Sequence, residues 1–345
     1  MTDTLTRIVL AARPQGAPKP ADFRTETVPI PALGPDRMLV RTIWLSLDPY
    51  MRGRMDAGKS YADPVEIGAT MEAGGVGEVI ASNAAGFAPG DFVVGRTGWA
   101  SHAILEGAGT FKVDPAIAPL STAVGVLGMP GLTAWVGLTD ILEMQSGETV
   151  VISAATGAVG SVAVQIARAR GIRVVGVAGG AEKCAHAVEI LGADACVDHR
   201  LASDARALSD QIGLAAPDGV DGYFENVGGK TLQAVMPRLN EGGRIAVCGM
   251  IAWYSGQGIA EAMPLPAVWR TILVKRLRVR GFLVFDHAHR QQDFVAEVAP
   301  MLRDGRLHYR ESIAEGLEAA PQAFIGMLAG ENFGKQLVRV GHGPD

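Results

Sequence analysis

The sequence predicts an α/β protein in two parts: an all-β unit at the N-terminus, then a doubly wound parallel sheet. Three observations carry that expectation. The first ~127 residues are short apolar runs broken by Gly and Pro, the pattern of short strands between turns. From about residue 128 to 310, short apolar runs alternate with stretches of helical period. At the head of that second zone a turn of small residues, Ala154-Ala155-Thr156-Gly157-Ala158-Val159-Gly160, joins a strand to a helix.

In the first zone, residues 37–47, 75–81, 91–94 and 99–105 read as strands, and their spacing suggests a barrel. In the second zone, residues 149–153, 173–178, 195–198, 222–226, 244–249 and 279–284 read as six strands. Helices fall between them. In residues 160–170, Val162, Ala163, Ile166 and Ala167 continue from Val159 at i, i+3, i+4 spacing. Residues 181–191 behave alike. Six strands spaced by helices predict a parallel, doubly wound sheet. Residues 311–345 return to a helix at 319–328 and a strand at 335–340.

The composition limits the alternatives. A chain of 345 residues fits two domains at roughly 100–200 residues each. With 48% hydrophobic and 19% charged residues it is globular, since disorder needs low hydrophobicity and high net charge. Its 44 glycines fit many tight turns rather than a repeat. A net charge of −5 without a basic stripe argues against nucleic acid as a partner. Cys184, Cys196 and Cys248 are odd in number and form no C-x-x-C pair, which excludes a disulfide framework. No apolar stretch reaches the ~20 residues of a membrane helix, and the N-terminus lacks a signal peptide's apolar run. The expectation is a soluble, cytoplasmic protein without a membrane partner.

The glycine turn is the first chemical signal. A strand, a small-residue turn and a helix N-terminus make an anion site: Gly157 would let backbone approach a pyrophosphate, and Gly160 would let the helix pack on the strand. The pattern is incomplete, because Ala155 stands where a dinucleotide fingerprint has its first glycine. Strand–helix–strand order favours a dinucleotide over a bare turn. The second strand bears on which dinucleotide. An NAD site carries Asp or Glu at that strand's end, about 20 residues on. Here the residue is Gly179, and Lys183 follows. A missing carboxylate and a nearby cation favour NADP(H), whose 2′-phosphate a carboxylate would repel. His199 and Arg200, after the third strand, could complete a phosphate pocket. Lys183 alone fits equally a solvated helix residue. Asn226 and Cys248–Gly249 fall at strand ends, where a doubly wound sheet binds ligands, although Asn and Gly also favour turns for their own reasons.

Zinc finds no ligand set. All three cysteines follow residue 180, the N-terminal half has the single histidine His102, and Glu72 has no evident companion. His102 reads as packed or surface-exposed. His287 and His289, at i, i+2, do not share a helix face and read as a solvated helix start.

Ten stretches then match a known family in order along nearly the whole chain. They are SLDPYMRGRM (46–55), GVLGMPGLTAW (125–135), AATGAVGSV (154–162), GVAGGAEKC (176–184), ENVGGK (225–230), VCGMIAWY (247–254), RGF (280–282), HYRE (308–311), APQAFIGML (320–328) and GENFGK (330–335). The sequence resembles the zinc-independent medium-chain dehydrogenases/reductases, in the leukotriene dehydrogenase/prostaglandin reductase group. The resemblance implies a GroES-like β-barrel catalytic domain, residues 1–127 and 311–345, around a Rossmann NADP-binding domain, residues 128–310. It implies NADPH contacts at Gly157, Ala158, Val159 and Gly160 for the pyrophosphate and at Lys183 for the 2′-phosphate. His199 stands where many eukaryotic members have a tyrosine. Asn226, Cys248, Gly249 and the stretch to Tyr254, with Phe282, Leu283, Val284 and Asn332, match cofactor-lining positions.

The implied reaction is NADPH-dependent reduction of a C=C bond conjugated to a ketone or aldehyde, without zinc. Hydride reaches the β carbon and charge develops on the carbonyl oxygen, which needs hydrogen-bond donors. A tyrosine of eukaryotic members aligns with Val274, so it cannot serve. Tyr254 and Tyr61 are the candidate chemical groups, with Tyr50 a third member of the substrate pocket. Each also fits an aromatic with its ring in the core and its hydroxyl in water. Ser255 replaces the asparagine usual after Tyr254. The alternatives are a quinone reductase, an NADPH-binding sensor or structural protein without turnover, and, less favoured, a secondary alcohol dehydrogenase. The resemblance also suggests a homodimer through the nucleotide domain's edge strand.

Overall fold

The computed structural model describes residues 4–58 and 60–343. The chain divides into two compact units, one of Met1–Gly128 with Glu311–Asp345 and one of Met129–Arg310. The first begins with β1 (Thr4–Leu10), β2 (Phe23–Pro29), β3 (Arg37–Ser46), the single turn α1 (Met51–Arg54), β4 (Gly75–Ser82), β5 (Phe92–Gly95), β6 (His102–Glu106) and β7 (Phe111–Lys112). The second runs α2 (Met129–Val136), β8 (Thr149–Ser153), α3 (Gly160–Ala169), β9 (Arg173–Ala178), α4 (Ala181–Glu189), β10 (Ala195–Asp198) and α5 (Ala205–Ala215). It continues through β11 (Val220–Glu225), α6 (Gly229–Val235), β12 (Leu239–Val247), α7 (Leu265–Lys275), β13 (Arg278–Gly281) and α8 (Gln291–Arg303). The chain then re-enters the first unit with β14 (Glu311–Glu315), α9 (Ala320–Leu328) and β15 (Lys335–Arg339).

The first unit is a barrel-like sheet, β14-β15-β3-β4-β5-β7, with β6 also pairing β3 and β1–β2 as a separate hairpin. Its core is aromatic. Trp99, wholly buried, stacks on Phe23 at 5.4 Å and meets Phe324 edge-on at 5.6 Å. Met51 and Met55 enter the same cluster from one side of the α1 turn. That i, i+4 pair fixes α1 against the core and so sets where Tyr50 and Arg54 stand. Pro49, which lacks an N–H, follows β3, and the Arg52 N–H bonds its carbonyl at 3.1 Å. The returning β15 is tied to this turn, because Lys335 Nζ donates to Leu47 O (2.6 Å) and Asp48 Oδ1 (2.8 Å), both charges being buried.

The second unit is a six-stranded parallel sheet, β10-β9-β8-β11-β12-β13. The strand order reverses between β8 and β11, which pair directly. Val150, Val151 and Ile152 of β8 have no exposure. A continuous apolar run covered on both faces is what a parallel sheet needs, and each such side chain contributes roughly 1.5–3 kcal/mol. In a doubly wound sheet the crevice lies beyond the carboxyl ends of the strands at this reversal, so the loops after β8, β9, β11 and β12 border it. Among the described residues no helix is long and apolar enough to cross a membrane.

Candidate active site

The turn after β8 is built around absent side chains. Ala154 adopts φ +49°, and its carbonyl receives the Gly157 N–H at 2.8 Å. A Cβ on Gly160 would lie 2.2 Å from that same carbonyl oxygen, so only glycine lets α3 begin against the strand. Gly157, Ala158, Val159 and Gly160 therefore sit at the positive end of a ten-residue helix, which favours an anion.

A cation cluster closes the next strand end. A Cβ on Gly179 would lie 2.8 Å from His199 Nε2 and 2.9 Å from Arg200 Nε. Lys183, in the first turn of α4, faces Arg200. Burial and then that guanidinium pull its ammonium below the usual lysine range. His199 is also lowered, by burial first and then by Lys230 and Arg200. Asp198 is committed to backbone, since its Oδ1 accepts the Gly180 and Arg200 N–H groups at 2.9 Å. The three sequence-predicted residues thus stand together. Lys230 was missed. From α6 its Nζ donates to His199 O and Ala202 O, both at 2.8 Å, and it holds the loop in place. Its place in ENVGGK was visible, but nothing in the spacing showed that it reaches β10.

At the sheet reversal, Asn226 is partly engaged by the protein. Its N–H bonds Ser153 Oγ, and its Nδ2 donates to Ser153 O, both at 2.8 Å. Glu225, another residue the sequence did not single out, is buried. Its Oε1 accepts the Val227 (2.6 Å) and Gly228 (2.9 Å) N–H groups and so shapes the turn into α6. Burial raises its proton affinity. The Cys248 and Gly249 N–H groups both bond Glu225 O. Burial, with Glu225 nearby, pushes the Cys248 thiol up to about 12. Tyr254 folds back over this loop, and its hydroxyl accepts the Met250 N–H at 3.2 Å. Phe282, just past β13, lies edge-on to Phe224 (6.4 Å) and His287 (6.3 Å), with Leu283 and Val284 following. His287 is not the solvated helix residue expected. Its side chain is largely buried, with Nδ1 3.5 Å from Asp140 Oδ2.

In the first unit, Tyr50 and Tyr61 flank Arg54, whose guanidinium carbon is 5.8 Å and 4.3 Å from their ring centroids. Arg54 Nε donates to Glu72 Oε1 at 2.7 Å, which gives the carboxylate an ion-pair partner rather than a metal-ligand companion. Burial raises the proton affinity of both tyrosines. Asn332 lies before β15 and donates through Nδ2 to Gly334 O at 2.8 Å. His102 is half-buried on β6 beside Ser101 Oγ at 3.1 Å.

A barrel-like unit carrying a doubly wound sheet, with a glycine turn and a cation cluster at adjacent strand ends, defines a medium-chain dehydrogenase/reductase. Residues 6–113 match the family described as "N-terminal domain of oxidoreductase", and residues 158–302 that described as "Zinc-binding dehydrogenase". The chain is 47% identical to the NADPH-dependent curcumin reductase of Escherichia coli (strain K12), over 97% of this chain and 96% of that one. It is 38% identical to prostaglandin reductase 1 of Rattus norvegicus, over 94% and 96%. The crystal structure of CurA from Vibrio vulnificus in complex with NADPH superposes with a TM-score of 0.92, at 45% identity over 98% of this chain and all of that one. The chain belongs to the zinc-independent medium-chain dehydrogenases/reductases, in the leukotriene dehydrogenase/prostaglandin reductase group. Although the second family description mentions zinc, no group of three or more His, Cys, Asp or Glu among the described residues could hold a metal ion.

Proposed function

We propose that this protein reduces the C=C bond of α,β-unsaturated ketones or aldehydes with NADPH, without a bound metal. The observation that carries the cofactor half is the set of Lys183, His199 and Arg200 around the bare backbone of Gly179. The substrate half rests on full-length likeness to a curcumin reductase and a prostaglandin reductase.

Bound NADPH would supply the hydride. The chain's own residues bind and orient. Gly157, Ala158, Val159 and Gly160 take the pyrophosphate, and Lys183, His199 and Arg200 the 2′-phosphate. Asn226, Cys248, Gly249, Tyr254, Phe282, Leu283, Val284 and Asn332 line the remainder. Hydride arrival at the β carbon puts charge on the carbonyl oxygen, and a positioned hydroxyl stabilises it, by ~2.7–4 kcal/mol for one such donor. Tyr254 and Tyr61 are assigned to this work, with Tyr50 in the pocket wall. The α carbon then takes a proton from tyrosine or water. In this reading residues 1–127 with 311–345 form the catalytic domain and 128–310 the nucleotide domain. The protein works in the cytoplasm as a homodimer. The exposed edge strand β13 and the exposed Trp269, Leu273 and Val274 of α7 support the homodimer.

The test is NADPH oxidation by purified protein across enones, enals, saturated ketones and quinones. Enones and enals should be turned over and saturated ketones should not. A preference for quinones, or a rate that collapses with a chelator and returns with zinc, would overturn the reading. Lys183→Ala should raise KM for NADPH far more than for NADH.

A further inference from the structure

We propose that Arg54 is a positioning residue that holds Tyr61 and Tyr50 as hydroxyl donors in the substrate pocket. The inference rests on the pocket reading above, in which those tyrosines meet substrate.

Among the described residues little else holds Tyr61. It is half exposed, in a stretch between α1 and β4 without helix or strand, so no backbone ladder fixes its ring. What reaches it is the guanidinium of Arg54, 4.3 Å from the ring centroid. Arg54 is itself firmly placed. Its side chain is buried, its carbonyl accepts the Val65 N–H at 2.8 Å, and its Nε is anchored on Glu72 at 2.7 Å. The same guanidinium lies 5.8 Å from the Tyr50 ring. One planar cation thus faces two aromatic rings, an arrangement that suits a flat guanidinium better than a compact ammonium.

The charge also acts on the hydroxyls. Burial makes both phenols weaker acids, and the Glu72 and Asp48 carboxylates push the same way. Arg54 is the group that opposes them at both tyrosines. A phenol held near a cation is a better donor to an oxygen gaining negative charge. Arg54 therefore holds the Tyr61 ring and sets how well both hydroxyls donate, without touching substrate, while Tyr50 is also seated on the apolar cluster. Neither effect needs a charge on the substrate, which fits a neutral enone.

The experiment compares Arg54→Met, Arg54→Lys, Glu72→Gln, Tyr61→Phe, Tyr50→Phe and the double variant Arg54→Met/Tyr61→Phe. Each is followed by enone kinetics, NADPH binding through protein fluorescence and thermal unfolding. Arg54→Met should lower kcat/KM for the enone by about 100-fold, the scale of a misplaced catalytic group, with NADPH affinity unchanged. Arg54→Lys should recover part of the loss. Glu72→Gln, which loosens the anchor at equal volume, should lose less in the same direction. The double variant should be no slower than Arg54→Met alone, because the two residues act as one unit. Should Arg54→Met fail to fold, the Lys and Gln variants carry the test. Unchanged enone kinetics in well-folded Arg54 variants, or losses that multiply fully in the double variant, overturn the proposal. If Tyr61→Phe and Tyr50→Phe are themselves silent, the pocket reading fails first.

Discussion

Gly179 and His199 approach so closely that a Cβ on the glycine would stand 2.8 Å from the imidazole Nε2. The strand end where an NAD enzyme carries its ribose carboxylate is here bare backbone facing an imidazole and a guanidinium. The atoms in the way are side-chain tips, which can shift, and Gly179 does not need a positive φ. A side chain can therefore be forced in, and its charge decides the outcome. Gly179→Asp places a carboxylate between His199 and Arg200, where it pairs with them and repels a 2′-phosphate. Losing one charge-assisted contact costs about 1.5–3 kcal/mol, so NADPH affinity should fall roughly 10- to 100-fold. NADH affinity should hold or improve. Titration of both cofactors against the variant checks this, and a parallel loss for both would sink the assignment.

The same cluster predicts a pH dependence. In the free protein, burial and then the Lys230 and Arg200 cations favour neutral imidazole at His199, below the ordinary histidine range. A phosphate dianion beside the ring favours the imidazolium instead. NADPH binding should therefore take up a proton, and affinity should rise as pH falls toward the free protein's His199 pKa. Calorimetry in buffers of different ionisation enthalpy measures that uptake. His199→Asn should diminish it, leaving the phosphate's own titration, and NADH should show none. Equal uptake in wild type and His199→Asn would remove the histidine from the pocket.

How much of this was legible in the sequence follows from which signals are local. β8 and β9 are readable to the residue because fully buried parallel strands are unbroken apolar runs. β2 is not, since only Phe23 at its start is buried and the rest is mostly exposed and polar. β14 is similar, with no buried residue. β12 begins at Leu239, before the expected 244, because Asn240-Glu241-Gly242-Gly243 reads as a turn yet lies within the strand. At the site, Gly179, Lys183, His199 and Arg200 could be nominated because strand order alone brings two successive strand ends together. Lys230, Glu225 and Arg54 could not. Each acts through a contact made by the tertiary fold, and a lysine, a glutamate and an arginine carry no turn or period signature of their own. The burial of His287 is hidden for the same reason, since Asp140 lies far from it in the chain.

The buried pair Lys335–Asp48 should be a stability determinant. Among the described residues, Lys335→Met leaves the Asp48 carboxylate in the interior with only the Ser46 hydroxyl as a side-chain partner. Breaking one side of a buried pair costs about 3–5 kcal/mol. The loss falls where β15 meets the turn that carries Tyr50, so enone turnover should weaken before NADPH binding does. Denaturant unfolding with a midpoint equal to wild type would show that the pair contributes nothing.

Tyr254 is the residue whose chemistry substitution can isolate most directly. Its hydroxyl oxygen accepts the Met250 N–H at 3.2 Å, and Gly249 leaves room for that oxygen, since a Cβ there would be 3.1 Å away. A phenol can both accept and donate a hydrogen bond, and the role proposed for Tyr254 draws on its O–H. Tyr254→Phe therefore removes two things at once. Losing the bond to Met250 should cost about 1 kcal/mol of stability, the size of an ordinary hydrogen bond. Losing a donor to the developing enolate should lower kcat about 100-fold or more, the range for one oxyanion donor. The two separate by measurement. Melting reports the first, while kcat at saturating enone and NADPH reports the second. NADPH affinity should fall far less than kcat, because phenylalanine keeps the ring that lines the cofactor and leaves the charged phosphate contacts at the other strand ends untouched. A variant that melts lower but turns over at the wild-type rate would assign Tyr254 to the loop alone. In the proposed reading the carbonyl oxygen would then be left to Tyr61.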